Sequence, residues 1–491
     1  MINVIKILFI FFFSSIVFCQ FDKDPRQLAL GGAYSTIAEG YYASGINPAL
    51  LGTNKGFDMN LFSVNSLNIN NSFLSIAYYN SINGANFEDP FAKKFYDKND
   101  LLSDLDQRGI SFDFSLIADL PILNFSINKF SFTTNFNYFT ELQLPDSFAA
   151  LMLEGNVIGD TIDVNLGFDT ISTSEVAVSY GHSFGDFSIG FGLKYIQGLL
   201  YAGMEEVRDS YFITTETELY GTGSFLVKQS IGGSGLAVDF GFATNRFENG
   251  WMFGASAINM FGKIKYDNDA FFNKSIDEKV RPILESNLNA EYYLRNNEML
   301  FFDFRLDSLN AQKLAPDASE STPTLSDIFS FSKYKVVLID GVDSFSEQCS
   351  DSECVLISDS TYLYPTNNNE NLDLYNISEF EIDYPASVSI GGSHRDRKGN
   401  IFSCELGIGF SDSFGNSKSP RLGIGYELNQ FKIITLRSGI VLGGKYKSSF
   451  SCGLGLNIKP IRFNISLSTK NALSIMNTRG LELGFSTIFF L

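Results

Sequence analysis

A chain of 491 residues with 49 Phe, 22 Tyr and 42 Gly but only 2 His and 1 Trp is weighted toward strands. Its net charge of −19, with 55 acidic against 36 basic residues, argues against a nucleic-acid partner, because the chain as a whole would repel phosphates. A mean hydropathy of +0.03 suits a barrel in which lipid-facing and water-facing residues cancel.

Met1–Cys19 carries Lys6, the apolar run Ile7–Phe13 and then Ser14 and Ser15. That pattern predicts a secretory signal peptide, since its core is too short to span a bilayer. Cleavage after Cys19 would leave Gln20 first; the other reading makes Cys19 a lipidation site, although Phe18 stands where that processing wants a small residue. No later apolar stretch reaches the ~20 residues of a membrane helix, so any span must be β and must close on itself.

Residues 20–55 are rich in Gly and Ala. Strands are expected over Phe57–Leu67, Ser72–Ser81, Gly109–Asp119, Lys129–Glu141, Ser174–Ser183, Phe187–Gln197, Gly235–Ala243 and Trp251–Ile264. Polar joints at Gly185-Asp186, Asn245–Gly250 and Asn296-Asn297 have turn chemistry. Asp97–Gln107 and Pro145–Glu154 have apolar residues at helical spacing and are expected as short loop helices. Residues 307–383 form an acidic insertion with Pro316, Pro323 and the run Asn367–Asn371, which breaks the strand rhythm and reads as a loop with limited structure. Within it Cys349 and Cys354 are close enough for a small-loop disulfide in an oxidising compartment. Without histidine partners they do not make a metal site, and no cofactor is expected.

From Ala386 a hairpin meander runs to the end. Phe402, Cys404, Leu406, Ile408 and Phe410 take one face, and Ser403, Glu405, Gly407 and Gly409 the other. Bulky aromatics on one face and glycines and charges on the other suit lipid outside and water inside. The fold class is therefore all-β: a transmembrane antiparallel barrel of about 14 strands, within a range of roughly 14–18. If the last strand descends to the periplasm, the joints 396–400, 429–431 and 459–460 lie on that side and the insertion lies outside the cell.

The same parity points Glu175, Lys194, Asp239, Glu405, Arg421, Glu427, Arg437, Arg462 and Glu482 inward. Charges facing lipid would cost roughly 2–4 kcal/mol each at mid-depth. Such inward charges serve either as a polar path with a latch or as a charge-paired filling. For catalysis there is no case: Gly-His-Ser at 181–183 and Ser-His-Arg at 393–395 are too generic for a nucleophile and base, and no enzyme is expected.

The stretch ALGGAYSTIAEGYYASGINPALLG resembles the N-terminal segment of FadL-like outer-membrane barrels, the long-chain fatty-acid transporter superfamily. The matching elements are Gly31-Gly32-Ala33, Glu39 and Asn47-Pro48-Ala49. The remainder is similar to an uncharacterised Bacteroidota family of such barrels, in LPDSFAALMLEGN, SEVAVSYGHSFGDFSIGFGLKYIQG, GSGLAVDFGFA and LRSGIVLGGKYKSSFSCGLGL. The resemblance implies an integral outer-membrane protein with residues 20–55 as a hatch inside the barrel; the other reading is a periplasmic tail leading into the first strand. It also implies passive transport of hydrophobic or amphipathic small molecules, with outer-membrane lipid and a hydrophobic ligand as partners. A different class of function stays open, a non-transporting scaffold that docks secreted proteins as related barrels do. The 307–383 insertion departs from the transporter pattern, so ligand and gating details do not carry over.

Overall fold

The computed structural model describes residues 23–145, 147, 158–266, 298–309, 329–340, 355–358, 361–366, 380–431 and 433–491. Met1–Cys19, Cys349 and Cys354, Asn296-Asn297 and nearly all of Pro145–Glu154 lie outside the described residues.

In chain order the strands begin β1 (Phe57–Asn71), β2 (Ile110–Asp119), β3 (Phe125–Ile127), β4 (Phe130–Leu144), β5 (Thr161–Asp163), β6 (Gly167–Phe184) and β7 (Phe187–Thr214). They continue with β8 (Leu219–Thr244), β9 (Trp251–Tyr266), β10 (Glu298–Leu309), β11 (Phe329–Asp340), β12 (Val355–Ser358), β13 (Thr361–Thr366) and β14 (Phe380–Asp383). The last are β15 (Ser387–Arg395), β16 (Ile401–Gly409), β17 (Arg421–Leu428), β18 (Ile434–Gly443), β19 (Ser448–Ile458), β20 (Ile461–Lys470) and β21 (Gly480–Phe490).

Fourteen strands close one antiparallel barrel. The wall runs β1, β2, β4, β6, β7, β8, β9 and then β15 to β21, with β14 and β15 both pairing to β9. Closure is made by β21 on β1, in register at Asp58↔Phe490, Val64↔Phe485 and Ile69↔Leu481. With no open edge, every wall strand satisfies its backbone polar groups within the sheet, as a span in hydrocarbon requires. Among the described residues no helix is long and apolar enough to cross a membrane.

Side-chain alternation gives the wall two chemistries. On β6, Val176, Val178 and Tyr180 are exposed while Glu175, Ala177 and Ser179 are buried. On β7 and β8, Ile189, Phe191, Leu193, Phe240 and Phe242 are exposed, and Ser188, Lys194 and Asp239 are buried. An apolar exterior on a closed barrel with a polar interior is the arrangement of an outer-membrane protein. Cys404 and Cys452 are free thiols, half-buried and exposed respectively.

The short joints, including those that follow Arg395, Leu428 and Ile458, gather at the end of the barrel where β1 begins and β21 ends. At 185–186 a two-residue hairpin joins Phe184 to Phe187, and Gly185 takes φ +71°, which a side chain would resist.

Two expectations are corrected. Ser72–Ser81 is not a strand: Ile76–Ile82 is helical, with the Ser75 hydroxyl accepting from the Tyr78 amide at 3.1 Å. Its apolar residues Tyr78 and Ile82 pack on Leu101 and Leu105 of the helix Lys98–Arg108, so a helical stripe had passed for alternation. The insertion also holds more structure than a loop. Strand β10 pairs with the far half of β8, β11 with β10, and β13 with both β11 and β12. Strands β7 and β8 are 28 and 26 residues long and outrun the wall, leaving an edge of β8 that β10, which begins before the insertion, covers, with the inserted β11 and β13 added beyond it.

Leu193 sits on the lipid side near the middle of the crossing part of β7. Leu193→Arg is expected to destabilise the folded barrel by about 2–4 kcal/mol, read from denaturant titration of refolding into liposomes.

Candidate functional site: a segment held inside the lumen

Residues 23–54 lie within the barrel, and nearly all of them are buried. The segment has little regular structure: a helix Pro25–Ala29 capped by Asp24, and 3-10 turns Gly40–Ala43 and Pro48–Thr53. Asp24 accepts from the Arg26 amide at 2.8 Å and from the Tyr34 hydroxyl at 2.5 Å. Burial raises the Asp24 carboxyl above its ordinary value, against the pull of those two donors.

Asn47-Pro48-Ala49 is a cap with a second use. Asn47 Oδ1 accepts from the Ala49 amide at 3.1 Å, and Pro48 needs no donor at that first turn position. Asn47 Nδ2 donates to the Ser35 carbonyl at 2.8 Å and to the Phe242 carbonyl of β8 at 3.1 Å. The motif thus shapes the segment and binds it to the wall.

Glycines on the inner wall make the seats. Gly181, Gly190 and Gly241 stand side by side across β6, β7 and β8. A Cβ on Gly190 would lie 2.1 Å from the Pro48 carbonyl carbon, so only bare backbone lets the segment approach. A second seat uses Gly423, Gly425 and Gly439 on β17 and β18, where a Cβ on Gly439 would come 2.3 Å from the Gly31 amide. Gly31 and Gly32 have φ of +61° and +74°, a tight bend that brings Gly32 against Arg421. Ala33 is buried beside it, and Glu39 is half exposed.

The charges of the wall meet the segment in pairs. Glu427 receives Arg26 Nε at 2.7 Å and Arg26 Nη2 at 2.9 Å, and also Arg437 Nε at 2.7 Å. Arg437 reaches on to Asn464 at 2.9 Å. Glu175 takes Lys23 Nζ at 3.3 Å, and also receives Asn137 Nδ2 at 2.9 Å and the Tyr384 hydroxyl. Glu405 accepts the backbone amides of Tyr34 and Ser35 at 2.9 and 2.6 Å. Arg421 lies 3.7 Å from Glu405 and donates to the Gly32 carbonyl at 3.5 Å. Arg462 pairs with Glu39 at 3.2 Å. Lys194 and Asp239 pair with each other at 2.9 Å, and Glu482 pairs with Lys470. All nine wall charges named from parity are on the luminal side, and five of them touch the segment directly. Lys23 and Arg26, their partners on the segment, had no signal in strand parity because they lie outside any strand.

Beside the segment a partly open chamber with a cavity volume of about 70 Å³ is bordered by Gly31. Ser66, Ser115, Ser449, Ser451 and Ser468 line it, with Lys445 and Lys470. Ile117 and Phe139 border it and also belong to an aromatic cluster with Tyr201, Tyr266, Tyr384 and Phe414. Among the described residues no group of His, Cys, Asp and Glu has the arrangement to hold a metal ion.

Residues 48–312 match a family of unknown function, DUF5723. No curated protein matches the chain. Among solved structures it is similar to the toluene transporter TbuX of Ralstonia pickettii, at 11% identity and TM-score 0.46, covering 95% of this chain and 98% of that one. It is similar also to the toluene transporter TodX of P. putida, at 10% identity and TM-score 0.44, covering 95% and 96%. A Pseudomonas aeruginosa FadL homologue shows 9% identity and TM-score 0.44, covering 96% and 99%.

Removing the carboxylate between two buried guanidiniums takes from Arg437 its paired acid and leaves Arg26 only the half-exposed Glu39, at 3.4 Å. Glu427→Gln is expected to cost about 3–5 kcal/mol in denaturant unfolding. Gly190→Val is expected to unseat residues 48–52 without opening the wall, seen as new proteolysis near the N-terminus of an otherwise intact barrel.

Proposed function

This chain belongs to the DUF5723 family, and on that premise we propose that it is a passive, gated passage for amphipathic small molecules across the outer membrane. Residues 23–54 are the gate. The observation that carries the reading is the manner in which they are held. Contacts to both seats are mostly backbone against glycine, and the longest-reaching side-chain ties to the wall are ion pairs and hydrogen bonds, beside an apolar cluster that meets the wall at Ala243, Met252, Ile401 and Ile488. A permanent filling would be as stable or more so with apolar packing in place of buried ion pairs. Ion pairs are the contacts that water replaces when the segment shifts, so the closed and open states are close enough in free energy to exchange. An amphipathic solute matches the surroundings of the chamber, hydroxyls and paired charges on one side and Phe139, Phe414 and Ile117 on the other.

Ser44 Oγ of the segment is 2.7 Å from Ser179 Oγ of β6. A Ser44→Cys, Ser179→Cys protein, with Cys404 and Cys452 changed to serine, is expected to lose solute flux into liposomes when oxidised and regain it on reduction. Equal, non-zero flux in both states would end the gate reading. No flux in either state, together with a stoichiometric secreted protein in gentle extracts, would favour a docking scaffold. The proposed orientation places 307–383 outside the cell, and protease added to intact cells is expected to cut there.

A further inference from the structure

The walls of the chamber narrow the class of solute, and this inference deepens the passage reading, resting on its assignment of the chamber to the solute. Three cations line the space, yet each already has its carboxylate. Lys470 is paired with Glu482. Lys445 lies 2.9 Å from Asp113 and 2.8 Å from Glu141. Arg421 lies 3.7 Å from Glu405. An incoming carboxylate would find no net positive charge to meet, and it would compete with four fixed acids for three cations. Losing water to enter such a site is costly for an ion and much less so for a hydroxyl.

What the chamber offers instead is a set of hydrogen-bond acceptors. Serine hydroxyls come from four strands, β1, β2, β19 and β20; Ser66 donates to Glu482, Ser451 to Ser468 and Ser468 to the Thr469 carbonyl, and their oxygens keep lone pairs that accept from a hydroxyl-bearing solute. Asn68 adds a sharper pointer. It is 2% exposed, and its Nδ2 donates to the Tyr446 hydroxyl at 3.0 Å. Its Oδ1 has no hydrogen-bond partner within the protein and is closed to water in this conformation, and a turn of the amide presents it to the chamber and to the adjoining space beside Phe139 and Phe414, both of which Asn68 lines. A buried acceptor of that kind is costly unless a donor reaches it. A hydroxyl can supply that donor, and an ionised carboxylate has none to give.

We infer that the polar end of the solute is uncharged and hydroxyl-bearing, a polyol or glycosyl group, and that Asn68 accepts a hydrogen bond from it. The rest of the solute lies toward Phe139 and Ile117. Mono-anionic amphiphiles such as simple carboxylates are discriminated against by the existing pairs.

The test uses the mature chain in nanodiscs and two probes, methyl glucoside and hexanoate, with binding read by titration calorimetry and saturation-transfer NMR. Methyl glucoside is expected to bind saturably and hexanoate not to, with Asn68→Leu weakening the glucoside about tenfold. Tighter binding of hexanoate, or binding of neither probe, would overturn the inference. Should Asn68→Leu fail to fold, the contrast between the probes in the unaltered protein decides alone. Glucoside binding in a protein whose flux ignores the Ser44–Ser179 cross-link retires the gate and keeps the inference. Cross-link-sensitive flux that favours hexanoate does the reverse.

Discussion

Hydrocarbon offers a peptide group no hydrogen-bond partner, and that single constraint arranges the rest of this molecule. It forces the strands into a ring, with β21 returned to β1. A ring whose outside must be apolar has, by the period of two, an inside that is polar. At the level of the segment a polar wall supplies few apolar side chains for a core, Ala243, Met252, Ile401 and Ile488 among them. The barrel is occupied instead by a segment of its own chain, and each side-chain charge that the segment carries in must be met there. The Arg26–Glu427–Arg437 cluster and the Lys23–Glu175 pair are the local solutions to a problem set by the membrane.

Close fit came from omission of side chains more than from their shape. Gly181, Gly190 and Gly241 provide a strip of bare backbone on one wall, and Gly423, Gly425 and Gly439 provide another. Glycine weakens a strand, and the cost is accepted where two backbones must come close. Charge then fixes which part of the segment meets which strand, because a mismatched register would leave a buried ion unpaired.

The barrel class was legible because Phe402, Cys404, Leu406 and their like repeat over many strands, and repetition averages out local ambiguity. Parity also names the wall member of each luminal pair, Glu175 or Glu427 for example. The segment member was not legible, since Lys23 and Arg26 sit in an irregular stretch with no period to place them. The glycine seats were hidden for a related reason. Single glycines on the wet face look like loose strand, and only cross-strand register shows three of them abreast. Ser72–Ser81 misled because Leu74, Ile76 and Tyr78 alternate while Tyr78 and Ile82 lie one helical turn apart, and the Ser75 cap decided for the helix. The strands β11 to β13 within 307–383 depend on β10, which begins before that stretch and is itself held on the β8 edge, a partner the stretch alone does not encode.

The distance along the chain between the segment and its seats has a consequence for assembly. Arg26 and Glu427 are 401 residues apart, and the second seat is built from β17 and β18, near the end of synthesis. The residues made first are therefore housed last, and contacts of such long sequence separation close late. Lys23 can meet Glu175 of β6 early, but until β17 and β18 pair Arg26 lacks Glu427 and the second seat does not exist. Occupation of the lumen thus marks a finished wall: the chain carries at its head a check that its tail has arrived.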